Sequence, residues 1–224
     1  MENTSKIISI IGGTGKEGKG LAFRWAKAGF EIIIGSRLEE KAQSAAGEIN
    51  QLLAENKFKV VGKDNIAAAK LGEIIVLTVP FSVHREMLAS IKEAVQGKLF
   101  IDVTVPVVPP KVTKVQMPPA GSAALEAKEI LGEDVKIVTA FQNISYERLM
   151  DDGDIDCDIL VCGEKESRQM VIGLIREMGL TAWDAGPIEN SMVVEGMTSI
   201  LIGLNKQFGI QNAGIKITGI PKKS

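Results

Sequence analysis

Residues 7–18 read Ile7-Ile8-Ser9-Ile10-Ile11-Gly12-Gly13-Thr14-Gly15-Lys16-Glu17-Gly18, an apolar run that breaks into glycines. Gly13, Gly15 and Gly18 form a G-x-G-x-x-G. That spacing alone is weak, because glycine also marks ordinary turns. Here it ends a predicted strand and opens a helical stretch, the setting a dinucleotide-binding loop requires. One glycine permits the tight turn, the next lets backbone N–H groups approach a pyrophosphate, and the third lets the helix lie close on the strand. Thr14, Lys16 and Glu17 fill out the loop and the helix start, whose free N–H groups and positive dipole end favour an anion.

The next strand selects the nucleotide. Glu31-Ile32-Ile33-Ile34-Gly35 ends in Ser36-Arg37, about 20 residues past the loop, where an NAD site places Asp or Glu against the ribose 2′-hydroxyl. A carboxylate repels a 2′-phosphate, whereas a guanidinium pairs with it through two parallel hydrogen bonds. Ser36 adds a hydroxyl, and Lys41, one helical turn beyond Arg37, adds charge from the same side. The cofactor expected is therefore NADP(H). The alternative is that Ser36 only caps a helix and that Arg37 and Lys41 are a solvated face.

The chain has 224 residues, 45% hydrophobic and 24% charged, with a net charge of −2, which is ordinary for a soluble globular protein. This balance leaves no nucleic-acid footprint. No apolar stretch reaches membrane-spanning length, and residues 1–6 lack the apolar region of a signal peptide. Cys157 and Cys162 would lie about 16 Å apart along a strand, too far for a disulfide. Buried thiols in a reducing cytoplasm are the expectation.

Strand and helix patterns alternate from the start, predicting an α/β fold with a doubly wound parallel sheet. Strands are expected over 6–11, 31–35, 58–62, 73–79, 99–103 and 136–141, and helices over 16–29, 38–56, 65–71 and 122–131. Residues 106–121 hold Pro106, Pro109, Pro110, Pro118 and Pro119, so they form a loop. Residues 151–158 are acidic but have no glycine where a calcium loop needs one, and read as a solvated turn with no metal. A smaller β–α–β piece follows over 159–161, 167–179 and 182–184, then a long apolar helix over about 188–207. We expect a dinucleotide domain over 1–150 and a smaller C-terminal α/β lobe over 151–224. The last helix, apolar nearly all round, should be buried, either in the core or in a dimer interface beside the second substrate.

In an open α/β sheet the ligand lies outside the carboxyl ends of the strands. Those ends are Thr78-Val79-Pro80, Val103-Thr104-Val105-Pro106-Val107 and Ala140-Phe141-Gln142-Asn143. They offer apolar walls, hydroxyls and amides, without the strong acid or base that carbonyl reduction calls on. The only histidine, His84, is a catalytic candidate or a helix-start residue, and Tyr146 is not assigned to the pocket. Such a site suits hydride transfer between two bound redox rings, with the protein orienting them and excluding water.

Several stretches resemble the NADPH-dependent reductases of the deazaflavin coenzyme F420. They are Gly12-Gly13-Thr14-Gly15, Gly35-Ser36-Arg37 through Lys41, Thr78-Val79-Pro80-Phe81, Val108-Pro109-Pro110-Lys111 and Pro118-Pro119-Ala120-Gly121-Ser122-Ala123-Ala124. Val161-Cys162-Gly163, Trp183-Asp184-Ala185-Gly186-Pro187 and Gly214-Ile215-Lys216 match as well. The resemblance implies reversible hydride transfer between NADP(H) and F420, and a homodimer. Carried over by position, Thr14, Ser36, Arg37 and Lys41 would hold the 2′-phosphate, and residues 78–80 and 105–107 would wall the nicotinamide. Val107, Phe141, Gln142 and Glu195 are the expected acceptor side, where Gln142 stands at a position that is His in some members and would donate to a deazaflavin carbonyl. Rival readings keep NADPH but reduce a flavin, quinone or ferric chelate, or bind the nucleotide without turnover. A carbonyl or pyrroline-carboxylate-type reductase is disfavoured for want of a proton donor.

Overall fold

Continuous runs of Ile, Val and Leu form strands buried on both faces, and these make the centre of the molecule. The computed structural model describes residues 6–53, 58–150 and 153–220. Residues expected at the end of the second helix (54–56) and the acidic pair Asp151 and Asp152 lie outside them, as do residues 1–5 and 221–224. The strands are β1 (Ile7–Ile11), β2 (Glu31–Ser36), β3 (Val61–Asp64), β4 (Ile74–Leu77), β5 (Leu99–Asp102), β6 (Lys136–Thr139), β7 (Asp158–Gly163) and β8 (Thr181–Asp184). They form one eight-stranded sheet in the order β3-β2-β1-β4-β5-β6-β7-β8. Neighbours run parallel except at β6–β7, where Val138 faces Gly163 and Thr139 faces Cys162 in antiparallel register. This is a doubly wound Rossmann-type sheet that the C-terminal strand pair extends.

The helices are α1 (Lys16–Lys27), α2 (Glu39–Leu52), α3 (Asn65–Leu71), α4 (His84–Ile91), α5 (Ala123–Leu131), α6 (Tyr146–Leu149), α7 (Lys165–Glu177) and α8 (Ser191–Phe208). Side chains cap several of them. Asp64 accepts from the Ile66 and Ala67 amides at 3.0 and 2.9 Å, and Ser122 accepts from Leu125 at 3.0 Å, each satisfying free N–H groups of a first turn. Gly209, left-handed at φ 65°, ends α8. One apolar core lies on the α1 and α7 side of the sheet, around Trp25, Ile10 and Phe141, and another on the opposite side around Phe100, Leu77 and Leu88.

Some elements differ from their sequence-based expectation. β3 sits at Val61–Asp64 rather than at 58–62, because the residues that pair with β2 are Val61, Gly62, Lys63 and Asp64, and only Val61 among them is apolar. The last helix is buried along one face only. Val194, Glu195, Gly196, Ser199 and Leu201 face inward, whereas Val193 and Phe208 are each 65% exposed and Ile200 is 57% exposed. A single chain supplies cover for only one side of this helix. Both cysteines are buried free thiols, and burial pushes Cys162 up to about 11.

The glycine loop owes its shape to contacts that exclude a side chain. A Cβ on Gly18 would lie 2.5 Å from the Gly13 Cα and 2.9 Å from its carbonyl carbon, so α1 approaches β1 only with glycine at both positions. Gly18→Ala should therefore destabilise the fold by about 1–3 kcal/mol through forced backbone shifts. The measurement is the Tm of the purified variant, and an unchanged Tm would refute the close-approach argument.

Candidate functional site

Outside the carboxyl ends of β1, β2 and β4 lies a cleft of about 640 Å³. Its glycine-loop wall is Gly12, Thr14 and Gly15, its far end is Ser36, Arg37 and Lys41, and its other side is Thr78, Val79 and Pro80. Gly12 makes the turn at φ 71°, and its amide donates to Asn65 Oδ1 at 3.2 Å. Asn65, together with Val83 and Met87 of the lining, was not singled out from the sequence; its signal was its place directly after the Asp64 cap. Gly15 is the N-cap of α1, and a Cβ there would meet nothing nearer than the Gly12 carbonyl at 4.0 Å. The absent side chain thus leaves free space in the cleft, which the other two fingerprint glycines do not.

Ser36 is the last residue of β2 and is buried, while α2 begins only at Glu39 behind Leu38. The Ser36 hydroxyl accepts from the Leu38 amide at 3.4 Å and so lines the cleft without being the N-cap of α2. Arg37 and Lys41 are exposed, and their side chains have no ion-pair partner among the described residues. Two cations and a hydroxyl at this end suit a phosphate monoester, and the carboxylate that lines the cleft, Glu86, belongs to α4 with Met87.

A second cavity of about 240 Å³ lies beyond the loop, lined by Glu17, Val103, Val105, Gln142 and Tyr146 with Thr198, Leu201 and Asn205 of α8 and Gln211 and Ala213 of the tail. Glu17 therefore belongs to this cavity and not to the cleft. Burial pushes its carboxyl up to about 8, so this cavity holds an acid contributed by a helix and not by a strand tip. Lys16 points elsewhere, with its ammonium 3.2 Å from the Tyr146 hydroxyl and 4.8 Å from the ring centroid. Gly13, Gly18 and Pro106 line neither space.

On the expected acceptor side only Gln142 reaches the second cavity. Its Nε2 donates to the Asp102 carbonyl at 2.7 Å, and its Oε1 is buried without a partner. The amide thus holds a buried acceptor without a protein partner, and its Nε2 keeps a second N–H beside the one given to Asp102. Phe141 is fully buried in the core, edge-on to Trp25 with centroids 5.6 Å apart, and adopts φ 77°. That turn sends the ring inward, away from either space. Val107 is half-buried in a tight turn onto Val105 and lines neither.

Glu195 is buried and caps α5, accepting from the Ala123 and Ala124 amides at 2.7 and 3.1 Å. Burial outweighs those bonds and raises its carboxyl to about 8. His84, the catalytic candidate, is fully buried between Asp102 and Glu126 and lines neither the cleft nor the second cavity. Among the described residues no group of His, Cys, Asp and Glu could hold a metal ion, and no helix is long and apolar enough to cross a membrane.

The pattern described as NADP oxidoreductase, coenzyme F420-dependent, matches residues 7–106. An F420-dependent NADP reductase of Methanocaldococcus jannaschii is 39% identical, over 95% of this chain and 98% of the relative. The chain belongs to the F420-dependent NADP reductase family. A second relative so named, from Methanothermobacter marburgensis, is 38% identical over 96% of this chain and 99% of its own length. Among solved structures, one from Arthrobacter sp. FB24, provisionally described as an F420-dependent NADP reductase, superposes with a TM-score of 0.78 at 24% identity, covering 96% of this chain and 99% of that one. Pyrroline carboxylate reductase of Plasmodium falciparum shares the fold more distantly, with a TM-score of 0.59 at 16% identity over 93% of this chain and 67% of its own.

Gly15→Val puts a side chain into the cleft, with its Cβ no nearer than 4.0 Å to any protein atom outside the neighbouring residues. We expect an unchanged Tm and loss of NADPH binding, measured by calorimetric titration. A variant that still bound NADPH normally would mean that the loop is only a turn.

Proposed function

We propose that this protein transfers a hydride reversibly between NADP(H) and the deazaflavin coenzyme F420. The observation that carries the reading is the cleft itself. It joins a side-chain-free loop, a phosphate-compatible end at Ser36, Arg37 and Lys41, and an apolar wall at Val79 and Pro80, and a second cavity lies across the same loop. The relatives' names supply the identity of the second redox partner.

With both molecules bound, the hydride passes between C4 of the nicotinamide and C5 of the deazaflavin, and a proton is taken up at the deazaflavin ring. The chain's residues hold and orient. Backbone N–H groups at the start of α1 face the pyrophosphate, with the helix dipole adding to the attraction. Arg37, Lys41, Ser36 and Thr14 hold the 2′-phosphate. Thr78, Val79 and Pro80 wall the nicotinamide, while Val105 stands with Gln142 on the second cavity, where the Gln142 amide hydrogen-bonds the acceptor ring. Glu17, whose carboxyl burial raises to about 8, stands in the same cavity as the group placed to supply a proton.

Residues 151–224 serve as the smaller portion that completes the acceptor cavity through α8 and the tail, beyond the dinucleotide-binding portion at 1–150. The exposed apolar face of α8, with Val193, Ile200, Leu204 and Phe208, supports a homodimer. A cytoplasmic setting agrees with the two free thiols.

The direct test mixes the protein with NADPH and oxidised F420 and follows the deazaflavin's visible absorbance. Rapid bleaching, absent with NADH, is expected. No bleaching despite tight NADPH binding would refute the acceptor assignment. Arg37→Ala should weaken NADPH by about 1.5–3 kcal/mol and leave NADH nearly unchanged. Equal losses for both nucleotides would remove the argument for the 2′-phosphate.

A further inference from the structure

Behind the strand tips lies a buried ionic cluster that touches neither cavity. His84, the first residue of α4, is 0% exposed. Its Nε2 lies 2.8 Å from Asp102 Oδ2 and its Nδ1 3.2 Å from Glu126 Oε1. Both ring nitrogens thus face carboxylate oxygens, an arrangement satisfied when both carry protons. The Arg85 guanidinium donates to the other oxygen of Glu126 at 2.8 Å, so two cations face two carboxylates. Phe81 stacks on the imidazole with centroids 5.9 Å apart.

Asp102 connects this cluster to the site. It is the last residue of β5, and its second oxygen, Oδ1, accepts from the Thr104 amide at 3.0 Å. Its own carbonyl accepts from Gln142 Nε2 at 2.7 Å. Thr104 in turn donates from Oγ1 to the Val79 carbonyl at 3.5 Å. The Asp102 carboxylate therefore holds Thr104, which reaches Val79 on the cleft, while the Asp102 backbone carbonyl holds Gln142 on the second cavity.

We propose that His84 is a positioning residue, whose imidazolium locks Asp102 and so fixes the wall against which the nicotinamide half of the dinucleotide lies. The inference rests on the NADP(H) reading of the cleft and is independent of which acceptor takes the hydride. Burial alone would make His84 easier to deprotonate, but Asp102 and Glu126 together outweigh it and hold its proton above the ordinary histidine range. A group raised in this way contributes fully to the ordered state at pH below its ordinary value, and the contribution disappears as pH rises through the raised one. The other ionisable groups facing the cluster are Arg85 on α4, Glu126 on α5 and Glu195 on α8. Glu195 gains charge near pH 8, and that charge favours the histidine proton.

The test compares wild type with His84→Gln, which keeps hydrogen-bonding capacity and removes the charge. Two ligands are titrated: adenosine 2′,5′-bisphosphate, which fills only the Arg37 end, and NADPH, which also reaches the strand tips. We expect bisphosphate affinity within about twofold of wild type and a loss of about tenfold or more for NADPH. In wild type the NADPH advantage over the bisphosphate should decline with rising pH, and in His84→Gln it should be small and flat. Equal loss of both ligands would reduce His84 to a general stability role and overturn the proposal. So would an alkaline decline that persists in His84→Gln, since that decline would belong to Glu195. If His84→Gln fails to fold, Asp102→Asn replaces it; removing that charge should move the decline to lower pH by at least about one unit, and no movement refutes the assignment. Because both readouts are binding measurements, failure to reduce F420 would count against the acceptor assignment and leave this one standing.

Discussion

The contact of Gly18 with Gly13 governs the geometry of this molecule. A methyl group between them would sit inside the van der Waals radius of backbone atoms, so the chain allows none. The consequence is that α1 starts almost on top of β1, with its first N–H groups at the mouth of the cleft. Every later part of the site takes its position from that approach. The tip of β2 supplies Ser36 and Arg37 on one flank, and the tip of β4 supplies Thr78, whose amide and hydroxyl both return to the Ile11 carbonyl at 3.0 and 3.1 Å. Packing and ligand geometry therefore have a single origin at the junction of the first strand and the first helix.

Much of this was legible because buried parallel strands advertise themselves. Ile7–Ile11, Ile74–Leu77 and Leu99–Asp102 are nearly unbroken apolar runs, and their ends fix where ligands can lie. The cationic end was legible too, since Ser36 and Arg37 follow a strand at a spacing with a physical meaning. Edge structure was harder. β3 contains glycine, lysine and aspartate, and only its pairing with β2 makes it a strand. The face that α8 buries depends on contacts from the proline-rich loop, such as the Met117 methyl 3.1 Å from the point a Gly196 Cβ would occupy, and no local pattern encodes those.

The acceptor side was least legible, for a physical reason. Gln142 takes its orientation from a carbonyl 40 residues away, and His84 takes its partners from positions 18 and 42 residues distant. Short-range periodicity carries no record of such pairs. Two faint signals existed. Asp102 closes an otherwise apolar strand, and Glu126 lies in an alanine-rich helix whose neighbours Ala123, Ala124 and Ala127 are all buried. A carboxylate in either setting needs a cation, and His84 and Arg85 were there to be matched. The orientation of Phe141 had no such signal, because its positive φ goes with packing against Trp25, a residue more than a hundred positions away.

The antiparallel junction between β6 and β7 reverses the chain's direction at that edge of the sheet. The start of β7, not its end, thus comes to the side that carries the cavities. There Asp158 anchors the final segment, its amide donating to the Ile215 carbonyl at 2.9 Å and its carboxylate accepting from the Ile217 amide at 2.8 Å. Trp183 donates to the same carboxylate at 2.8 Å. The wall that includes Gln211 and Ala213 is consequently held at the sheet edge by Asp158 and at α8 by Asn205, whose Oδ1 accepts from the Ala213 amide at 2.9 Å. Because that wall adds no strand and borders only the second cavity, changes in it reshape the acceptor side while the nucleotide cleft, built from other segments, keeps its form.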